Sequence, residues 1–134
     1  MDNILLTEKD YERLHLLVQA QRTSGAPATI ESLCKELREA KIIPSEEVPV
    51  DIVTMNSLVR LREKKSNTVM ELTLSYPKNA DVSTRKISVL SPVGTAILGR
   101  KVGEEVECPA PRGLLTYQIE EVIYQPEAAG DLFL

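Results

Sequence analysis

The sequence predicts an α+β protein in which two N-terminal helices precede an antiparallel sheet packed on one short helix. Three observations lead there. Apolar residues recur at intervals of three and four before residue 41, composition shifts at "IIPSEEVPV", and alternating β-like segments follow, interrupted by one well-capped helical run. A chain of 134 residues supplies one principal core, so any accessory element must be small. Its 43% hydrophobic content is ordinary, but with no Trp, one Phe and four Tyr any pocket will be aliphatic.

The first helix is expected over "TEKDYERLHLLVQAQ", residues 7–21. Thr7 and Asp10 stand at the spacing of a capping box, which satisfies amides of a first helical turn. Tyr11, Leu14 and Val18 line one face, and Leu17 widens the stripe. Gly25 and Pro27 in "RTSGAPA" break the helix and reverse the chain. A second helix over 29–41 resumes the stripe with Ile30, Leu33, Leu37 and Ala40, and Pro44 limits its extension. Two stripes joined by a short turn predict an antiparallel helical hairpin, a short coiled coil. With about 14 residues per helix at about 1.5 Å each, it projects on the order of 20 Å.

Two prolines and two glutamates between residues 42 and 50 then act as a linker, and the domain boundary is expected between 1–48 and 49–134. "VDIVTM" and "SLVRLRE" read as short strands flanking Asn56 and Ser57. "TVMELTLSY" is the clearest strand, with Met70, Leu72, Leu74 and Tyr76 alternating against Val69, Glu71, Thr73 and Ser75. Pro77 ends it. Residues 78–85 form a polar loop, "KISVL" another strand, and "GLLTYQIEEVIY", residues 113–124, a long last strand entered through the turn "PAPRG".

Between these strands lies "SVLSPVGTAILGRKVGEEVE", residues 88–107. Ser91 can cap a helix, Pro92 suits its first position, and Gly99 can end it in a left-handed conformation. Val93, Ala96, Ile97 and Leu98 make that helix largely apolar, so a sheet can close over it. Gly103 then supplies a tight turn into the next strand.

Sixteen basic against twenty acidic side chains leave a net charge of -4. That disfavours direct nucleic-acid binding, which needs concentrated positive charge to displace counterions from phosphate, and it disfavours an anionic membrane surface. "MDNILLTEKD" lacks the basic and long apolar regions of a secretory signal, and no stretch approaches the roughly 20 apolar residues of a membrane helix, so a cytoplasmic location is expected. Cys34 and Cys108 lie far apart on different elements and read as small buried apolar residues. A metal site needs more ligands than the chain offers, and no cofactor-binding loop is present.

Ser88, Ser91-Pro92-Val93-Gly94, Ala96-Ile97-Leu98 and Gly103-Glu104 match the C-terminal signature of the bacterial Gre transcript-cleavage factors. "DIVTMNS", Tyr76-Pro77 and the ending "YQPEAAGDLFL" bring the resemblance closer to the family of regulators of nucleoside diphosphate kinase within that superfamily, over essentially the whole chain. The resemblance implies an N-terminal coiled coil, a C-terminal domain of the FK506-binding-protein type, and association with bacterial RNA polymerase at its secondary channel; separately, a monomer is expected. The sequence departs from the Gre pattern at the hairpin tip. Gre-type cleavage requires acidic side chains there to hold magnesium and activate water. Between Glu12 and Glu31 there is no Asp or Glu, and the tip carries Arg22, Thr23, Ser24 and Gly25.

The sequence therefore points to a non-enzymatic transcription regulator that occupies the polymerase without delivering cleavage chemistry and competes with longer-armed factors. Candidate polymerase contacts are Ser91, Pro92, Val93 and Gly94, the basic stripe of Arg60 and Arg62, and Phe133 in the apolar ending. Each has a plainer reading: a structural helix start, a solvated sheet face, and a terminus packed on its own domain. His15 reads as a boundary residue, and Glu104, Glu105 and Glu107 as solvent-facing. The alternative function is a prolyl isomerase or peptide-binding chaperone, suggested by fold analogy alone and poorly served by so few aromatics. Cleavage through a displaced acid such as Glu31 would require a different hairpin register.

Overall fold

A computed structural model describes residues 4–23, 28–110 and 113–130. Strand β1 (Leu5–Thr7) leads directly into helix α1 (Glu8–Thr23), and helix α2 (Ala28–Glu39) into strand β2 (Lys41–Ile43). Thr7 caps α1 as its spacing requires, its Oγ1 accepting the Asp10 amide at 3.1 Å. The reciprocal arm of the capping box is diverted. The Asp10 carboxylate instead accepts the amide of Met55, 45 residues away, at 3.1 Å.

Leu14 and Val18 of α1 and Ile30, Leu33 and Leu37 of α2 are buried, as the apolar periodicity predicts, and so is Cys34, expected as a small buried thiol. They join one continuous core with Val59, Leu61, Leu72, Leu74, Ile97, Leu98 and Ile119 of the sheet region. At roughly 1.5–3 kcal/mol for each fully buried large aliphatic side chain, this shared core is what holds the helices to the sheet.

Strands β1 and β2 pair in parallel, Leu5 with Lys41 and Thr7 with Ile43, so Thr7 and Lys41, expected to be the first and last residues of the two helices, lie in strands instead. Three residues each is too short for alternation to register in a sequence. The segment 50–55, expected to be a strand, is not one. Ile52, Val53, Thr54 and Met55 are buried in succession, and the backbone makes only an isolated bridge from Ile52 to Lys101. The chain runs along the 99–102 segment, Val53 N bonding Arg100 O and Gly99 N bonding Val53 O, before turning at Asn56 with φ 68°.

The main sheet has the order β5-β4-β3-β7-β6, from strands β3 (Leu58–Glu63), β4 (Val69–Ser75), β5 (Lys86–Ser88), β6 (Glu105–Ala110) and β7 (Gly113–Tyr124). It is mixed, which corrects the expectation of a wholly antiparallel sheet. β5 runs parallel to β4, Thr73 beside Lys86 and Ser75 beside Ser88, because the 3-10 turns at Pro77–Asn79 and Val82–Thr84 carry the chain back before it re-enters the sheet. Helix α3 (Pro92–Ile97) contacts β6, and a last short helix α4 (Pro126–Ala129) follows β7. Pro126 at its start and Gly130 beyond its end, with φ 82°, were its sequence signals.

Candidate functional site at the α3 joint

The Ser-Pro-Val-Gly stretch forms a joint. Ser91 caps α3 by accepting the Gly94 amide at 3.1 Å, while its hydroxyl donates to the Ser88 carbonyl at 2.7 Å. Thr95 Oγ1 donates to the Val89 carbonyl at 2.7 Å, so α3 is bolted to the end of β5 at two places. The approach is close enough that a Cβ on Gly94 would overlap the Ser88 carbonyl oxygen and stand 2.9 Å from Val89 Cα. At the far end Gly99 has φ +72° and a Cβ there would stand 2.6 Å from Ile4 Cβ and 2.8 Å from Leu5 O. Glycine is needed there on both counts. Leu5 N bonds Gly99 O, so the end of α3 also anchors the strand that starts α1.

Of the four signature residues expected at a docking surface, Gly94 is buried, Ser91 and Val93 are half-buried and Pro92 is exposed. Beside them a surface hollow is lined by Glu36, Ala96, Arg100, Glu104, Glu105, Val106 and Glu107. Its one cation, Arg100, lies 3.5 Å from the Glu36 carboxylate. A second hollow lies on Arg60, Val102, Gly103, Gln118, Ile119 and Glu120. Neither lining includes an aromatic side chain.

Arg60 and Arg62 do project from one sheet face, as alternation predicts, but within a ladder of carboxylates. Arg60 meets Glu71 at 3.0 Å and Glu121 at 2.8 Å, Arg62 meets Glu120 at 2.6 Å, and Lys64 meets Glu105 at 3.0 Å. The hydrogen bonds that the Arg60 guanidinium donates to Glu71, with the neighbouring carboxylates, hold it still more firmly protonated. A register shift between Arg60 and Leu61 opposite β7 brings the consecutive residues Glu120 and Glu121 to successive arginines. Plain alternation would send those two glutamates to opposite faces, so the neutralised stripe was hidden from the sequence.

Arg22 and Thr23 belong to the last turn of α1. Ser24, Gly25 and Phe133 lie outside the described residues. His15 is exposed on α1, its ring stacked on Tyr11 with centroids 5.9 Å apart. Among the described residues no three His, Cys, Asp or Glu side chains stand together as a metal site, and no helix is long and apolar enough to cross a membrane.

A mixed sheet wrapped on a capped short helix, preceded by two packed helices, is the architecture of a class of transcription factors. Residues 48–124 match the family model "Transcription elongation factor, GreA/GreB, C-term", and the chain belongs to the GreA/GreB family. Among its relatives, the regulator of nucleoside diphosphate kinase of Escherichia coli strain K12 is 39% identical over 98% of this chain and 96% of its own length. Transcription elongation factor GreA of Chlorobium phaeobacteroides is 40% identical over 76% of this chain and 65% of that factor. A solved structure described as a prokaryotic transcription elongation factor GreA/GreB from Nitrosomonas europaea superposes with a TM-score of 0.78 at 41% identity, covering 92% of this chain and all of that one. These relatives are named as regulators or elongation factors and not as enzymes.

Proposed function

We propose that this protein is a cytoplasmic, non-enzymatic transcription regulator that docks as a monomer on bacterial RNA polymerase near the secondary channel and lacks transcript-cleavage activity. In this reading residues 49–134 form the docking domain, of FK506-binding-protein type. Residues 1–48 form an antiparallel helical arm that enters the channel mouth, with Arg22, Thr23, Ser24 and Gly25 at its tip. Family membership supports the partner. The observation that carries the loss of cleavage is the sequence from residue 13 to residue 30, which holds no carboxylate. Without one, the arm has no ligand strong enough to retain a magnesium ion beside the polymerase's reacting atoms.

Docking is assigned to the accessible side of the α3 joint, Pro92 and Val93, with Phe133 as an additional contact. Ser91 and Gly94 act by holding that side in place. Arg60 and Arg62 enter only as members of an ion-paired face with no excess of positive charge, so their part is steering at most.

The test is a pull-down of core RNA polymerase with the purified protein, with and without a Gre factor as competitor, alongside a cleavage assay on backtracked complexes. Binding displaced by the competitor, with no stimulated cleavage, is the expected result. No binding at micromolar concentration would remove the polymerase reading, and stimulated cleavage would remove the blunt-tip reading.

A further inference from the structure

Away from the α3 joint, two carboxylates from opposite ends of the chain converge on consecutive residues of the 54–57 turn. Asp10, on α1, is 4% exposed and accepts the Met55 amide at 3.1 Å. Glu127, on α4, accepts the Thr54 hydroxyl at 2.7 Å. Thr54 is itself fixed, its amide donating to Ser57 Oγ at 3.0 Å and the two hydroxyls lying 2.9 Å apart. Met55 is followed by Asn56 in a left-handed conformation, tied by its amide to Leu74 O at 2.6 Å, so the turn cannot easily swing to separate its two guests. Next to α4, Gln125 is 4% exposed and donates from Nε2 to both Pro49 O and Ile52 O at 2.8 Å. α1, the 49–57 segment and α4 thus meet at one buried polar junction.

We propose that this junction is a proton-sensitive clasp, in which the charge on Asp10 sets how firmly α4 closes against α1 and the 54–57 turn. The charged groups facing Asp10 are Glu127 from α4 and Arg13 and Lys9 from α1 itself, while the turn contributes only its backbone amide. The end of β4 contributes the Tyr76 phenol, whose ionisation is pushed up by burial and then by Asp10. Burial, reinforced by Glu127, pushes the Asp10 carboxyl up to about 6, although the Met55 amide, Arg13 and Lys9 oppose it. The group therefore changes charge close to neutrality. When ionised, Asp10 repels Glu127 across the turn and α4 loosens. When protonated, that repulsion vanishes, Asp10 becomes a weaker acceptor for Met55, and α4 seats on Thr54.

The test is an NMR titration of the full chain between pH 4 and 8, following the Asp10 carboxyl carbon and the amides of Met55, Ala129 and Gly130. The last two amides report α4, because they bond Gln125 O and Glu127 O. All four signals are expected to share one midpoint near 6. In Glu127→Gln the midpoint falls, and in Asp10→Asn the inflection disappears from Ala129 and Gly130 while the sheet amides stay dispersed. Protection of the Gly130 amide, corrected for its intrinsic exchange rate, should rise roughly fivefold from pH 7.5 to 5 in the parent chain, the low end of ordinary site coupling. An Asp10 midpoint near 4, or a Gly130 amide that does not follow Asp10, would overturn the clasp. So would a midpoint unmoved by Glu127→Gln, which keeps the side-chain shape and removes only its charge.

Discussion

Gly94→Ala separates two opposed expectations about the α3 joint. Helix propensity favours Ala over Gly in a helix by about 1 kcal/mol, so on local grounds the variant gains stability. Packing says the reverse. The new methyl would overlap the Ser88 carbonyl oxygen and stand 2.9 Å from Val89 Cα, both backbone atoms that cannot rotate away. Relief requires α3 to retreat from β5 by about 1 Å, since carbon and oxygen sit comfortably only beyond about 3 Å. That retreat stretches the Ser91–Ser88 and Thr95–Val89 bonds, now both 2.7 Å, and disturbs the fully buried Ile97 and Leu98. Overpacking of this kind costs about 1–3 kcal/mol and each weakened hydrogen bond about 1. After the propensity gain, the net loss is about 3 kcal/mol, or a fall in melting temperature of roughly 10 °C for a domain this size. Thermal unfolding by circular dichroism measures it. Gly103→Ala is the control, because its Cβ meets nothing within 4 Å and only its φ of +97° is strained; it should cost about 1–2 kcal/mol. A Gly94→Ala protein melting at or above the parent would refute the close approach.

Asp10 should make the protein less stable as pH rises, against the usual trend. Its pKa is 3.8 unfolded and about 6 folded, so protons favour the folded state, and about 3 kcal/mol is lost between roughly pH 4 and 7. Asp10→Asn should flatten that slope in urea unfolding series at the two pH values, and an unchanged slope would remove the assignment. Ser91→Ala, which deletes the cap and the bond to Ser88, should cost about 1 kcal/mol, with Ser91→Asp restoring the cap alone. Arg62→Gln should shift stability by less than about 1 kcal/mol, because its partner Glu120 is partly solvated, and raising salt to 1 M should hide even that. Pro92→Glu should weaken polymerase capture without lowering the melting temperature, since the site is exposed and a carboxylate suits a helix start. Capture that is unaltered would move docking away from α3.

The elements that the sequence revealed are those whose signals are local. Thr7 and Ser91 cap their helices from three residues away, Gly99 and Gly103 take the positive φ that their positions call for, and residues 113–124 form the long strand expected of them. What it concealed depends on distant partners. β1 and β2 exist because Leu5 meets Lys41. The segment 50–55 was read as a short alternating strand, yet Ile52 to Met55 are buried in succession while Val50 is exposed. Asp10 looked like half of a capping box and is instead spent on Met55, a bond no spacing rule contains. The arginine stripe was legible as a face but not as an ion-paired one, since the register shift that recruits Glu120 and Glu121 arises only when β7 pairs with β3.

That distinction bears on where specificity resides. In the Ser-Pro-Val-Gly stretch, Ser91 is engaged with Ser88 and Gly94, and Gly94 has backbone against it where a side chain would be. Such residues define the shape of the joint and have little capacity left to discriminate between partners. If the joint docks as proposed, recognition falls to the side chains that it presents, Pro92, Val93 and the neighbouring Ala96 with its carboxylate-rich hollow. Two proteins with the same joint can therefore seat on a related surface while their arms deliver different chemistry. In the proposed reading the acid-free stretch between Glu12 and Glu31, and not the docking domain, decides whether cleavage follows. Introducing a pair of aspartates at Ser24 and Gly25 tests that division of labour. Cleavage of backtracked transcripts should appear only if the arm is long enough to bring them to the active centre, and at about 1.5 Å per residue α1 spans only on the order of 24 Å. Unimpaired polymerase capture without cleavage would place the limit in reach, whereas cleavage would place it in the missing carboxylates alone.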